Sequence, residues 1–284
     1  MNLSKTYLIV GSNSSLSLRI IDNLPAKNTF VLHHSKPKYK HENVTYFSIN
    51  ELGKLPKIDV VFIISAFVPD KINSSENNLD LYNVNVDFIN KICNHFKDSR
   101  LIYASSVSVY NNFEGNIINE TSEVNPIPPY AISKLWGETI IRMTPNFSIL
   151  RISSLIGRGI KEKTFIPLII TGALKMGEIT LLGKGTRQQN YINYMDAGKM
   201  FIKASELATN DTYLAVSQKS FSNTEVAEYI KLILPEISIS YKGTDNSLSF
   251  NYDASKTYSA LNFIPEVPIE VSLLEIIKWK QEQS

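Results

Sequence analysis

Cysteine is nearly absent: Cys93 stands alone in 284 residues, which excludes an internal disulfide and suits a reducing compartment. It falls in the run Phe88-Ile89-Asn90-Lys91-Ile92-Cys93, the setting of a packed helix position rather than of a reactive thiol. The four histidines (His33, His34, His41, His95) lack partners at metal-ligand spacing, so no metal site is expected. Neither sign of charge dominates. With 29 basic and 27 acidic side chains the formal charge is +2, too small to argue for a nucleic-acid partner. Long apolar runs are missing as well: Tyr7-Leu8-Ile9-Val10 is shorter than a signal-peptide core, and nothing approaches the ~20 residues of a membrane span. No membrane partner is therefore expected, and the cytoplasm is the default location.

What remains is an ordinary globular composition, 43% hydrophobic and 20% charged, with enough chain for one large domain or two lobes. Short apolar runs alternate with amphipathic stretches through the first half. Tyr7–Val10, Phe30–Leu32, Val44–Phe47, Val60–Ile64, Leu101–Ala104 and Phe147–Leu150 read as strands. Val60–Ile64 is apolar at every position, as a strand covered on both faces should be. Helical patterns cover about Ser14–Asn23, Leu79–Phe96 and Tyr130–Met143. This alternation predicts an α/β fold, a parallel sheet wrapped on both sides. Beyond Arg151, glycines at 157, 159, 172, 177, 183 and 185 cut the chain into shorter pieces, with later helices near Asp196–Leu207, Asn223–Leu234 and Glu270–Gln283. The expected division is a sheet domain over 1–155 and a smaller mixed α/β lobe over 156–284, part of 190–217 returning to the first.

The chemistry concentrates in Pro129-Tyr130-Ala131-Ile132-Ser133-Lys134. Tyr130 and Lys134 share one helix face, a turn apart, and Pro128-Pro129 set the helix start. The hydroxyl-rich run Ala104-Ser105-Ser106-Val107-Ser108-Val109-Tyr110 closes an apolar strand upstream. A phenol, an ammonium and a hydroxyl in one cleft can move a proton while a cofactor moves a hydride, which points to an oxidoreductase or an epimerase. A free phenol has a pKa of about 10, and lowering it by about three units takes roughly 4 kcal/mol. A nearby ammonium together with the positive ring of an oxidised nicotinamide can supply that in a partly dry cleft.

The first strand runs into Gly11-Ser12-Asn13-Ser14-Ser15-Leu16-Ser17, where a dinucleotide fold places its pyrophosphate against backbone N–H groups and a helix start. Only the first glycine of that pattern is present; Ser14 and Ser17 fill the other places, and Ser14 can offer a hydroxyl to a phosphate. An ordinary turn with a serine N-cap is the other reading. After the second strand comes His33-His34-Ser35-Lys36-Pro37-Lys38-Tyr39-Lys40, with no carboxylate before Glu42. An acid there would bind a ribose 2′-hydroxyl and indicate NAD, whereas cations accommodate the 2′-phosphate of NADP. NADP is expected, with NAD as the alternative; a solvated basic loop would look the same.

In this arrangement the chain resembles the extended short-chain dehydrogenase/reductase superfamily, and within it the NAD(P)-dependent epimerase/dehydratase group that acts on nucleotide sugars. The resemblance rests on Tyr130-Ala-Ile-Ser-Lys134, Ala104–Tyr110, Asn83-Val84-Asn85-Val86, Leu182–Thr186, Tyr191–Asp196 and Asp253–Lys256. It implies a Rossmann-type doubly wound sheet in which Ser106 is the catalytic hydroxyl, Tyr130 the acid/base and Lys134 its activating partner. It implies cofactor contacts from Gly11, Asn13, Ser14, Ser15, Leu16, His33, Ser35, Lys36, Ile49, Asn50, Ser65, Ala66, Asn85, Tyr130 and Lys134. It places Phe67, Ser106, Val107, Ser108, Arg158, Arg187 and Gln189 toward the substrate. Two departures stand beside the reduced glycine turn. Gln189-Asn190 replaces the usual arginine–aspartate pair ahead of Tyr191, with Arg187 nearby; Val107-Ser108 stands where 4,6-dehydratases carry Asp-Glu. The second argues against elimination of water. The expected activity is reduction of a 4-keto nucleotide sugar, the alternatives being a 4-epimerase that retains NAD and a cofactor-binding sensor without turnover. The resemblance also implies a homodimer through the Leu79–Phe96 and Tyr130–Met143 helices.

Overall fold

The computed structural model describes residues 4–70, 75–110 and 117–283. The chain first lays down β1 (Tyr7–Val10), α1 (Ser15–Ile21), β2 (Thr29–His33), β3 (Thr45–Ser48), β4 (Val60–Ile63), α2 (Asn78–Tyr82), α3 (Phe88–His95), β5 (Arg100–Ser106), α4 (Pro129–Arg142) and β6 (Phe147–Ile152). It continues with β7 (Ser154–Ile156), α5 (Phe165–Met176), β8 (Glu178–Leu182), β9 (Gln188–Asn193), α6 (Tyr194–Glu206), β10 (Asp211–Ala215), β11 (Ser220–Ser222), α7 (Asn223–Ile233), β12 (Ser238–Lys242), α8 (Ser255–Leu261) and α9 (Ile269–Gln281).

The main sheet has seven parallel strands in the order β10-β6-β5-β4-β1-β2-β3. Alternate residues of β1 explain why it is apolar throughout: Tyr7 and Ile9 face α1 and α6, while Leu8 and Val10 face α3 and α4. The strand order reverses between β1 and β4, so a crevice opens beyond their carboxyl ends, where doubly wound sheets bind ligands. The last strand, β10, comes from far along the chain and pairs with β6 in register Asp211 to Ser148. A second apolar cluster, built by α5, α7, α9 and strands β8 and β9, forms the smaller lobe.

Two helical stretches differ from the sequence expectation. The pattern over Leu79–Phe96 is one helical rod, but a π-helical turn over Asn83–Asp87 separates α2 from α3. Such a turn brings the side chain of Asn85 inward, where it bonds backbone groups at Phe67. Helix α5 is not among the expected helices, because Gly172 and Gly177 read as cutting this stretch into shorter pieces. Pro167 lies in the first turn, where no intrahelical N–H is lost. Gly172 is needed for close packing: a Cβ there would stand 3.0 Å from the Glu178 carbonyl. Among the described residues no helix is long and apolar enough to cross a membrane, and no cluster of three or more histidine, cysteine or acidic side chains is placed to hold a metal.

Candidate active site

The turn after β1 is built around Gly11, whose φ of +102° suits glycine; an added Cβ would stand 2.9 Å from the Ser65 nitrogen. The serines in the places of the later glycines knit the turn together. Ser14 caps α1 by accepting the Ser17 N–H at 3.0 Å, its hydroxyl lies 2.8 Å from that of Ser17, and the Ser17 hydroxyl donates to the Gly11 carbonyl at 2.6 Å. Beside the turn is a cavity of about 310 Å³ lined by Gly11, Asn13, Ser14, His34, Ser35, Ser65 and Ala66. It adjoins one of about 380 Å³ that shares Asn13, Ser14 and Ala66 and adds Ser15, Leu16, Ser106, Tyr130 and Lys134. Gly11→Ala is expected to strain the turn by about 1–3 kcal/mol, measured by urea unfolding; unchanged stability would refute the close approach of Ser65.

The loop after β2 folds onto the same turn. Asn13 donates from Nδ2 to the Ser35 hydroxyl at 3.0 Å and to the Lys36 carbonyl at 3.3 Å, and its Oδ1 accepts the Lys38 N–H at 2.9 Å. Lys36 and Lys38 are exposed, and among the described residues no carboxylate lines either cavity. The lining histidine is His34, not His33. His33 belongs to β2, paired with Ser48 of β3, and its Nδ1 is buried without a partner among the described residues. Ile49 and Asn50 open the short helix after β3 and line neither cavity, because that strand is two places removed from the crevice.

The three residues of the acid–base set come together. Ser106 ends β5, and its Oγ accepts the Ser108 N–H at 3.1 Å and hydrogen-bonds the Tyr130 phenol. Tyr130 opens α4 behind Pro128 and Pro129, partly exposed to the cleft, while Lys134 one turn on is 1% exposed. Burial pushes the phenol up to about 12, which the Ser106 hydrogen bond only partly opposes. Burial also pulls the Lys134 ammonium down to about 7, against the attraction of Glu138. The phenol thus lies above its ordinary value in the protein alone, not below it as the sequence argument expects. The reason is that burial of the phenol outweighs its hydrogen bond to Ser106, and the positive charge of the cofactor is a separate contribution.

Asn85 is buried and bonded on all sides: its Oδ1 accepts the Phe67 N–H at 2.8 Å, and its Nδ2 donates to the Phe67 carbonyl and the Ser133 hydroxyl, each at 3.0 Å. It therefore ties the segment after β4 to α4 instead of facing a cavity. Phe67 is held by its backbone, and Val68 lines the cavities in its stead. Val107 packs against the cluster around Val109 and Tyr110, and the Ser108 hydroxyl is buried without a partner among the described residues. Neither lines the cavities of Tyr130 or Arg187, since the short helix that begins at Val107 turns both away.

A further cavity of about 500 Å³ lies between the lobes and contains Arg187 and Gln189, with Phe165, Tyr191 and Tyr194. It shares Val68, Leu155, Lys161 and Tyr194 with the cavity of Tyr130, so the two are continuous. Gln189 is bonded through Nε2 to Asn223 at 3.0 Å; Arg187 reaches the Leu248 carbonyl at 3.4 Å. Arg158 is not brought here. The positive-φ glycines 157 and 159 turn its segment past α1, and its guanidinium pairs with Glu282 at 2.8 Å, in a separate cavity of about 550 Å³ lined also by Asn13, Ser15 and Lys38. Sequence reasoning missed Lys161, Val68 and His34. Tyr191 and Tyr194 stood inside a recognised landmark, but Lys161 belongs to no pattern and is placed only by the fold.

A doubly wound parallel sheet with a glycine turn after β1 and a Tyr-x-x-x-Lys helix after β5 defines a nicotinamide-dependent short-chain dehydrogenase/reductase of the extended kind. The chain belongs to the NAD dependent epimerase/dehydratase family, whose model matches residues 12–215. A Methanocaldococcus jannaschii protein with the provisional name UDP-glucose 4-epimerase is 23% identical, the match covering 93% of this chain and 90% of that one. The UDP-N-acetylglucosamine 4-epimerase of Methanobrevibacter ruminantium M1, solved with UDP-N-acetylmuramic acid, superposes with a TM-score of 0.88 at 21% identity over 99% of each chain. The UDP-glucuronic acid 4-epimerase of Bacillus cereus, solved with UDP-glucuronic acid and NAD, gives 0.85 at 17% identity over 98% of this chain and 100% of that one. At these identities the structural likenesses establish the fold.

Proposed function

We propose that the protein reduces the 4-keto group of a nucleotide-diphosphate sugar with NADPH. The observation that carries this reading is the joining of Ser106, Tyr130 and Lys134 in one cavity with the Gly11 turn, under a loop bearing lysines and no acid. The residues fit a dinucleotide: Gly11 leaves room for a close backbone approach, and Ser12–Ser15 lead into the N-terminus of α1. When bound, the dinucleotide supplies or takes up hydride. Tyr130 is protonated at neutral pH and stands ready to hand its proton to the oxygen of a carbonyl under reduction. Ser106 donates to that same oxygen as charge grows on it, and Lys134 adds positive charge beside the phenol. The larger cavity takes the nucleotide, with Arg187 and Lys161 toward the diphosphate and Tyr191 and Phe165 along its apolar wall.

The experiment is consumption of NADPH in step with loss of a 4-keto nucleotide sugar. A purified protein that carries NAD and turns over without added cofactor would overturn reduction in favour of 4-epimerisation, the reading favoured by the names of the relatives. Within the proposal, Lys36→Ala with Lys38→Ala is expected to weaken NADPH binding by roughly 10–100-fold and to leave NADH binding nearly unchanged. Equal losses for both would remove the 2′-phosphate argument.

The same reading includes a homodimer. Leu79, Tyr82, Ile132, Trp136 and Met143 are exposed on α2 and α4 or at the end of α4, and Tyr82 meets Trp136 edge-on with ring centroids 5.8 Å apart. Trp136→Glu is expected to yield monomers by light scattering, with the secondary structure intact; a dimer that persists would place the interface elsewhere.

A further inference from the structure

Beneath Tyr130 and Lys134 lies a buried ionic assembly that the chemistry above does not use. Glu138 stands one turn beyond Lys134 on α4 and is fully enclosed. Its carboxylate accepts two hydrogen bonds from Arg151 of β6, from Nε at 2.9 Å and Nη2 at 2.7 Å. It accepts a third from the Ser105 hydroxyl at 2.6 Å, and Arg142 approaches at 3.3 Å. Arg151 also donates to the Tyr110 hydroxyl at 2.5 Å, so the carboxylate is held from β5, β6 and its own helix.

Another side of Lys134 is occupied by Tyr103 of β5. The Lys134 ammonium lies 4.2 Å from the centroid of that ring, whose hydroxyl is buried without a partner among the described residues. A Cβ on Gly137 would stand 2.2 Å from this hydroxyl, so glycine at 137 makes the room that the tyrosine fills. Because the hydroxyl makes no bond among the described residues, what Tyr103 offers Lys134 is the electron-rich face of its ring. A dry ammonium needs such compensation, since burial removes its water.

We propose that Tyr103 and Glu138 are positioning residues for Lys134, the ring face and the arginine-held carboxylate together holding a desolvated ammonium beside the Tyr130 phenol. The groups facing Lys134 are then Tyr103 from β5 and Tyr130 and Glu138 from its own helix. Arg151 and Arg142 stand behind the carboxylate, and Cys93 of α3 stands behind Tyr103. The downward pull of burial on Lys134 and the opposing attraction of Glu138 agree with this arrangement. Its catalytic consequence rests on the reading of Lys134 as the partner of Tyr130, whereas the geometry does not.

The test titrates Lys134 itself in the full chain, by the carbon-13 resonance of its Cε in lysine-labelled protein, with Lys134→Met identifying the signal. Tyr103→Phe keeps the ring face and removes only the stranded hydroxyl, so the midpoint should stay near that of the unaltered protein. Ring-fluorinated phenylalanines at the same position keep the packing and drain the ring face of electron density. They should lower the midpoint stepwise, by about one unit for the fully fluorinated ring. Glu138→Gln removes a negative charge and should lower it too. That variant leaves Arg151 unpaired, so if it does not fold, the fluorinated series decides alone. Midpoints that stay put across the series, or rise on Glu138→Gln, overturn the proposal. Absence of NADPH oxidation, by contrast, bears on the proposed reaction and leaves the titration standing.

Discussion

Tyr130→Phe is expected to lower kcat for NADPH oxidation by roughly 10²–10⁴-fold, the range that a positioned general acid supplies, with little change in dinucleotide affinity. The ring that fills the start of α4 is retained and only the hydroxyl that Ser106 bonds is lost. Burial keeps the phenol protonated across the neutral range, so the parent enzyme has its proton in place, whereas phenylalanine has none to give. Steady-state rates with a 4-keto nucleotide sugar, alongside NADPH titrations by fluorescence, check both halves. A variant that retains a rate within tenfold of the parent would show that the proton comes from elsewhere, and the acid–base assignment would fall with it.

The largest effect on stability is expected for Arg151→Met, about 3–5 kcal/mol at neutral pH, because it leaves Glu138 buried without its main partner. The loss should depend on pH with a definite sign. In the parent, burial pushes the Glu138 carboxyl up, but the Arg151 bonds pull it further down, to below the ordinary carboxylate value. A group held down in this way contributes stability that is present above its unfolded pKa and is lost as pH falls through its folded pKa. Without Arg151 burial prevails and the folded pKa rises, so the variant should gain stability as pH falls toward the ordinary glutamate range. Urea unfolding at about pH 7 and about pH 5 should therefore show a narrower gap between variant and parent at the lower pH. A gap that is constant, or wider in acid, would contradict the assignment of a charged Glu138.

Much of the sheet domain was legible in the sequence because its signals are local. An unbroken apolar run such as Val60–Ile63 needs no context to be read as a strand covered on both faces. The helix carrying Tyr130 and Lys134 announces itself through Pro128-Pro129 and its own spacing. The second half was harder because its cues conflict: Pro167 and Gly172 look like breaks, yet one sits where a helix start tolerates proline and the other where two backbones touch. The site divides in the same way. Ser106, Tyr130 and the Gly11 turn could be placed by motif, whereas His34 in place of His33 was settled by which way the chain turns at the end of β2. Arg158 illustrates the remainder: the resemblance places it toward the substrate, but two positive-φ glycines turn it to the Asn13 side of α1, where it pairs with Glu282.

The passage of the chain back into the main sheet at β10 governs how the molecule can be divided. A fragment truncated after residue 155 would leave the β6 edge bare, from Ser148 to Ile152, and would uncover the flank of β1 and α1 that Met200 and Phe201 shield. The cofactor half is thus not an autonomous folding piece that can be produced by cutting at the lobe boundary. Any shortened version has to keep 194–215 in place, either by retaining the intervening lobe or by rejoining those residues through a short designed connection.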